Sequence, residues 1–479
     1  ESEILEGGET TLYRYDNLGR MIQEITPNIY KETQSENAGY RYTYYNNGEL
    51  KSVTDPLKNV TTYTYDIHGN MQSEIKPNGC IYWYEYDSLN REKAEYVQET
   101  ADSKKILQTS YTYLVLPDHT TQTKVTVYLT DTQTAVTTYV YDYAGRLVKQ
   151  TNPDGGILTT AYNTNGTVYS ETDARDNTTY YQYDSQNRLT TQWTSFADGK
   201  YTYQQFTHDK NGNQTTSSIG SEAVTLWGIP TEGLIIFYQY DSLNRLTEQW
   251  TSFSVGTTLY EYDAGGNVVK ETITLDDSIS RVTEYEYNHL GKVSLMKQQV
   301  SGSVQTTTYE YDAEGNLLTT TDWLGNTTVN TYDTTGRLTS TTDPYGHVIV
   351  KNIYDDAGNT MTTYDALGNK TINKYDKRGR LICIIDPLGN TTNNTYDNAG
   401  NTITETEGNE NTTTYAYDEQ NRLMKVTNSK DETTGYTYDK NGNLLTQTDG
   451  KGNAITYTYN AANLPVTKSE PADRKGIVV

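Results

Sequence analysis

Residues 309–317 read Tyr309-Glu310-Tyr311-Asp312-Ala313-Glu314-Gly315-Asn316-Leu317, and the pattern Tyr-Asp-x-x-Gly within them returns, with small variations, at Tyr332, Tyr354, Tyr375, Tyr396, Tyr417, Tyr438 and Tyr459. The step is 21 residues except once, where it is 22. A fixed period of that size marks a repeat architecture, in which each unit cannot bury its own surface without its neighbours. In Asp312-Ala313-Glu314-Gly315 the Asp opens a four-residue turn and the Gly closes it. That predicts a type I turn ending in a left-handed residue, the chemistry of a β-hairpin.

Outward from this stretch the pattern gives 19 units, with the Tyr position at 15, 44, 65, 86, 141, 162, 183, 208, 240, 262 and 287 before the eight above. Four residues after it stand 14 Gly and five Asn (Asn90, Asn187, Asn244, Asn421, Asn463), the two residues that enter positive φ at least cost. The turn residues are typified by Asp312 and Gly315, Asp333 and Gly336, Asp376 and Gly379, Asp397 and Gly400, and Asp439 and Gly442. A second turn signal lies between them, as in Asp386-Pro387-Leu388-Gly389 and Asn152-Pro153-Asp154-Gly155. Two turns per 21 residues leave two strands of roughly six residues. In Thr61-Thr62-Tyr63-Thr64-Tyr65 the tyrosines share one face and Thr62 and Thr64 the other.

The chain of 479 residues has 46 Tyr, four Phe and 34% hydrophobic residues, too few for a conventional core. Its mean hydropathy is −0.79. Disorder is the bland reading of such polarity, but regular Tyr and Thr alternation with correct turn residues argues for an ordered sheet. Tyr and Thr suit a sheet with water on both faces, their apolar bodies packing across strands and their hydroxyls staying wet.

The repeat runs end to end, so residues 1–479 form one array: 1–300 irregular, with insertions at about 88–138 and 216–234, 301–463 regular, and 464–479 a truncated end. Tyr111-Thr112-Tyr113 is expected to be a unit without its turn. The net charge of −24 argues against nucleic acid or an anionic membrane as partner, and no run of 18 apolar residues exists for membrane insertion. Both ends read as cuts from a longer repeat protein. Cys80 and Cys383 are too few for a disulfide framework or zinc site and read as free thiols.

The stretches Tyr139-Val140-Tyr141-Asp142-Tyr143-Ala144-Gly145-Arg146-Leu147 and Tyr375-Asp376-Lys377-Arg378-Gly379-Arg380-Leu381 resemble the repeats of the RHS/YD-repeat family, which includes bacterial polymorphic toxins, insecticidal toxin complexes, Gram-positive wall-associated proteins and animal teneurins. The resemblance covers nearly the whole chain. It implies a spiralling β-sheet forming a hollow shell, and in the toxins that shell encloses a C-terminal toxic domain. The family's self-cleavage block and a separate toxin domain are not found in this sequence, so the resemblance implies the shell material, secreted or on a bacterial cell surface.

Strand number leads to a similar architecture independently. Nineteen units make 38 strands, and open twisted sheets rarely exceed about ten without curling or splitting. The expected fold is therefore all-β, a coiled antiparallel sheet forming a shell or part-shell. A β-propeller would make alternate units resemble each other more than adjacent ones, and from Tyr375 to Tyr459 they do not.

Candidate chemistry is sparse. The five histidines (His68, His119, His208, His289, His347) are scattered without a nucleophile motif beside them, and 15 of 19 turn positions are Asp, which reads as turn chemistry. Asp439-Lys440-Asn441-Gly442-Asn443 and Asp209-Lys210-Asn211-Gly212-Asn213 resemble fragments of a calcium loop but lack its downstream Glu. No enzyme, cofactor or metal is expected. Two functions remain: a passive shell enclosing or presenting the parent chain's own C-terminal toxin or effector domain, or an adhesin binding a cell-surface glycan. The adhesin would use Trp193, Phe196, Trp250 and Phe253, which stand in the near-duplicate stretches 181–196 and 238–253. Against that, the same four would cover a sheet edge or pack beneath the 216–234 loop. Two residues before the repeat Tyr, the row Asn330, Asn352, Asn373 and Asn394 predicts an amide ladder across successive hairpins.

Overall fold

The computed structural model describes residues 2–4, 9–195, 201–221, 234–252, 256–276, 279–300, 302–460 and 462–470. The described residues form 41 strands in one sheet, and every strand pairs antiparallel with its sequence neighbours. The one helix among them is Pro27–Glu32, in the place of the first hairpin's second turn. None is long and apolar enough to cross a membrane.

Each hairpin closes by the expected turn. The Gly315 N–H donates to the Asp312 carbonyl at 3.1 Å, the Asp312 N–H donates to the Asn316 carbonyl at 3.0 Å, and the pairing shifts by one residue between Glu310 and Tyr311. This is a type I turn with a bulge completed by a left-handed residue. All 19 positions carrying that Gly or Asn have positive φ, with Gly315 at +84°, Gly442 at +89° and Asn421 at +60°.

Strand count exceeds the expected 38 by three: the short strand Ser2–Ile4 and the two strands of a twentieth hairpin within 88–138. That segment, expected as an insertion, contains the paired strands Glu92–Gln98, Ile106–Val115, Thr121–Tyr128 and Thr134–Tyr141. The unit at Tyr113 does have its turn: the Leu116 N–H donates to the Thr120 carbonyl, the His119 N–H donates to the Leu116 carbonyl, and His119 takes the left-handed place at φ +66°. Leu116-Pro117-Asp118-His119 hides this turn because Leu replaces the opening Asp and His the closing Gly. Residues 216–221 of the second expected insertion belong to the strand Gln214–Ser221, which pairs with Leu234–Tyr240; residues 222–233 lie outside the described residues.

The faces are unequal. In Thr327–Tyr332, Val329 and Thr331 are exposed, while Asn330 and Tyr332 on the other face are half-buried. Among the described residues fully buried apolar residues are few, and the one core cluster, Ile25, Ile29 and Ala38 with Leu12 and Tyr30, fastens the short helix to the sheet. Cohesion therefore rests on the ladder and on bonds between hairpins.

The sheet coils onto itself. Asn28 Nδ2 donates to Asp312 Oδ2 at 2.9 Å, Lys377 Nζ to the Asn78 carbonyl at 2.7 Å, the Asn398 N–H to the Leu129 carbonyl at 2.9 Å, and Asn441 Nδ2 to Asp173 Oδ2 at 2.6 Å. In each, a Tyr-Asp turn of the later coil sits on the second turn, or its substitute, of an earlier hairpin. The side-chain bonds span 268 to 299 residues, twelve to thirteen hairpins. At about 4.8 Å per strand, such a coil is about 120 Å around and about 40 Å across.

Candidate functional site

The most regular polar arrangement is the lock between hairpins. In Asp418-Glu419-Gln420-Asn421-Arg422, Asp418 Oδ1 accepts the N–H groups of Gln420 and Arg422 at 2.9 Å each, and Oδ2 accepts Arg422 Nε at 2.6 Å. The guanidinium also donates from Nη1 to the Asp439 carbonyl of the next hairpin at 3.0 Å and lies 5.1 Å from the centre of the Tyr438 ring. Arg380 does the same with Asp376, the Asp397 carbonyl and Tyr396. Where Asn follows the Gly, as at Asn70, its amide donates to the turn carboxylate in place of the guanidinium. Bonds of this kind hold the Asp66 and Asp16 carboxyls below their usual range: for Asp66 the Asn70 amide is the largest cause, for Asp16 the Arg20 backbone N–H.

Tyrosine hydroxyls supply the second lock, and here expectation fails. Rather than facing water, the hydroxyls of Tyr332, Tyr354, Tyr375 and Tyr396 donate to the carbonyls of Leu317, Leu338, Thr360 and Leu381 in the preceding hairpin. Asn330, Asn352, Asn373 and Asn394 donate to the same four oxygens at 3.1–3.2 Å, so no amide ladder forms between them. A bulge carbonyl with a free lone pair is a nearer acceptor than an amide two strands away.

Candidate chemical groups stay apart. His68 and His347 lie in exposed turns on opposite rims, and His208 stands in a repeat Tyr position with Nδ1 buried and unpartnered. Asp439 Oδ1 accepts the Asn441 and Asn443 N–H groups and Oδ2 the Asn443 amide, as Asp209 does in its own turn. Both carboxylates of the calcium-like stretches are thus engaged within their turns, and among the described residues no group of three or more His, Cys, Asp or Glu is placed to hold a metal ion. Cys80 and Cys383 are free and buried, and burial pushes the Cys80 thiol up.

Titratable groups do converge on one patch of the tyrosine face, a place the sequence did not single out. Tyr111 Oη lies 2.6 Å from Glu95 Oε1, and burial followed by the Glu74 and Glu95 charges pushes Tyr84 up to about 12. Burial and the Glu95 carboxylate raise Glu92. A polar cleft of about 400 Å³ also opens where the coils meet, lined by Glu171, Asp173, Asn177, Thr194 and Asn463 among others.

Of the aromatic candidates, Trp193 stacks on Tyr180 at 5.3 Å and Trp250 on Phe237 at 5.1 Å. Both pairs lie on the face opposite the repeat tyrosines, and both indoles are half-buried. Phe196 and Phe253 lie outside the described residues.

The family model described as RHS Repeat matches residues 40–79, 123–157, 297–328, 396–433 and 438–475. No curated protein matches the chain. Among solved structures, the Tc holotoxin pore of Photorhabdus luminescens with a TccC3-D651A mutation is similar at 15% identity and a TM-score of 0.54, over 98% of this chain and 27% of that one. TcdB2-TccC3-Cdc42 is similar at 14% identity and the same TM-score, over 96% and 27%. The chain thus spans about a quarter of the length of these proteins. With the turn, the lock and the coil they share one reading: five stretches of the chain carry RHS repeats, and its fold is the coiled β-sheet of these structures.

Proposed function

We propose that the chain is a passive wall: a non-catalytic β-shell segment of a larger secreted or cell-surface protein, enclosing or presenting a toxin or effector domain of the same parent chain. The observation that carries this reading is the closed seam, in which a later coil of one single-layered sheet sits on an earlier coil through Asn28–Asp312, Lys377–Asn78 and Asn441–Asp173. A sheet whose later coil seats on its earlier one winds around a space, and a bore near 40 Å before side chains are counted admits a small or unfolded domain. The Tc toxin assemblies of similar fold support the toxin setting.

Limited proteolysis of the whole gene product, read by mass spectrometry, tests enclosure. Segments outside residues 1–479 should survive protease while the shell is intact and be cut once the seam is opened by substitution. Their digestion at the rate of the same segments expressed free would overturn the proposal. The adhesin reading has less behind it, because Trp193 and Trp250 each spend one ring face on a neighbouring ring.

A further inference from the structure

Charge is sorted between the two faces of the sheet. The fifteen strands from Leu317–Thr321 to Pro465–Ser469 hold only two carboxylates, Glu405 and Glu407, and both stand on the tyrosine face, opposite Asn394 and Thr392. The other face of the same strands carries Lys351, Lys370, Lys374 and Lys425, all exposed. Earlier in the chain that face matches its lysines. Across four strands the row Glu261, Lys270, Glu284, Lys297 alternates in sign, with Lys270 Nζ 2.9 Å from Glu261 Oε1. A later row reads Ser340, Lys351, Tyr364, Lys370, so a ring replaces the carboxylate between two ammonium groups, and Lys351 Nζ lies 5.7 Å from the centre of that ring. Among the described residues no carboxylate pairs with any of the four lysines. This face also points outward. In Thr327–Tyr332, Thr391–Tyr396, Thr412–Tyr417 and Ala454–Tyr459 the exposed residues are all on it, and side chains fan apart on the outside of a coil while they crowd on its inside.

We infer that this outer face binds an acidic glycan, an unbranched polysaccharide with an acid group on alternate sugars, lying across Lys351, Tyr364 and Lys370 with Lys374 and Lys425 as outlying contacts. Charge, ring and hydroxyls select that occupant. Lys351 and Lys370 are two strands apart, about 10 Å, close to two sugars of an extended chain. A nucleic acid strand places a charge about every 3.4 Å and would meet far more repulsion from the net charge of −24 than cations so widely spaced can offset. Tyr364 offers a sugar ring an apolar plate between the two acid contacts. Ser340, Thr331 and Thr391 on the same face add hydroxyls that exchange hydrogen bonds with those of a sugar. Each exposed contact is weak, so affinity comes from several engaged at once. The site is apart from Trp193 and Trp250 and independent of what the coil encloses.

Fluorescence anisotropy with labelled oligosaccharides of equal length, one carrying a carboxylate on alternate sugars, one a sulfate and one neutral, tests the face in low and in physiological salt. An acidic probe should bind the whole chain and the neutral one should not; which acidic probe binds tighter tells carboxylate from sulfate. The triple variant Lys351→Gln/Lys370→Gln/Lys374→Gln should weaken binding roughly tenfold, three exposed charge contacts being lost. Tyr364→Thr should lower affinity several-fold by a factor that persists as salt rises, which a purely ionic contact would not do. Lys270→Gln/Lys297→Gln, whose lysines already have carboxylate partners, should leave binding unchanged. Absence of binding to either acidic probe, equal binding of the neutral one, tighter binding of a single-stranded oligonucleotide, or a triple variant that binds as well as wild type while circular dichroism shows it folded, overturns the inference.

Discussion

The hydroxyl of Tyr396 donates to the carbonyl oxygen of Leu381 at 2.6 Å, across the boundary between one hairpin and the one before it. Asn394 Nδ2 reaches the same oxygen at 3.1 Å, so one backbone carbonyl fastens two side chains of the next strand. Tyr396→Phe removes one of those bonds and leaves the ring. It should cost about 1 kcal/mol, seen as faster amide exchange confined to residues 381–396. Unchanged exchange there would show the hydroxyl to be dispensable.

Arg422 joins four partners in three hairpins, Asp418, Tyr438, the Asp439 carbonyl and, across the seam, Asp154, and its side chain is 19% exposed, against 43% for Arg91 in the equivalent place. Arg422→Met should therefore cost about 1–2 kcal/mol, from the ring contact and the charged hydrogen bonds, and Arg91→Met distinctly less. Urea titration of the two variants side by side checks the order. Equal losses would mean the guanidinium acts only on its own turn.

At Gly442 the φ is +89° and a Cβ would meet nothing within 4 Å, so any cost of substitution is conformational. Gly442→Val should destabilise its hairpin by more than about 1 kcal/mol, whereas Gly442→Asn should cost less, because Asn421 and Asn463 hold φ +60° in neighbouring hairpins. Denaturant midpoints of the pair give the comparison, and a tolerated Val would contradict it.

Turn carboxyls such as Asp66 and Asp16 ionise below their usual range when folded. A depressed folded value contributes stability that is complete above the unfolded value of about 3.9 and is lost as pH falls through the folded one. Stability should hold from neutral pH to about pH 4 and fall below it. Circular dichroism during acid titration measures this, and Asp66→Asn should remove that turn's share of the fall. A loss already complete at pH 5 would point to other groups.

Arg175 donates to the Tyr459 and Asn460 carbonyls and to Asn463, and its Nε lies 3.5 Å from Asp439. Arg175→Ala should free the later coil at that point. The expected signs are a larger radius of gyration by X-ray scattering and faster exchange in 457–464, at a cost on the order of 2 kcal/mol. A chain of unchanged size would mean the seam does not depend on this contact.

Much of this fold was legible because its determinants are local. Asp312 and Gly315 specify a turn from four residues, Tyr63 and Tyr65 a face from three, and the number of such units compels coiling. The hairpin at Tyr113 escaped because Leu116 and His119 lack the marker chemistry, although Tyr113 still donates its hydroxyl to the Glu92 carbonyl as a repeat tyrosine does. The seam was invisible for another reason. Asn78 and Lys377 are 299 residues apart, and nothing in either local sequence names the other. Exchange of repeat Tyr hydroxyls from water to bulge carbonyls was likewise unreadable, since it depends on where the neighbouring hairpin leaves a lone pair open.

Adjacent residues Lys377 and Arg378 reach the Asn78 carbonyl and Gln108 Oε1, partners 30 residues apart in the coil below. The overlying turn thus straddles the gap between two hairpins instead of matching one. A joint of that kind works as a vernier: its two scales need no common graduation. Long cationic side chains and turn carbonyls tolerate the offset, so the hairpins of one coil need not match those of the other in number or position for the seat to hold. Circumference can then drift through evolution by single hairpins, leaving the thickness of the wall unchanged.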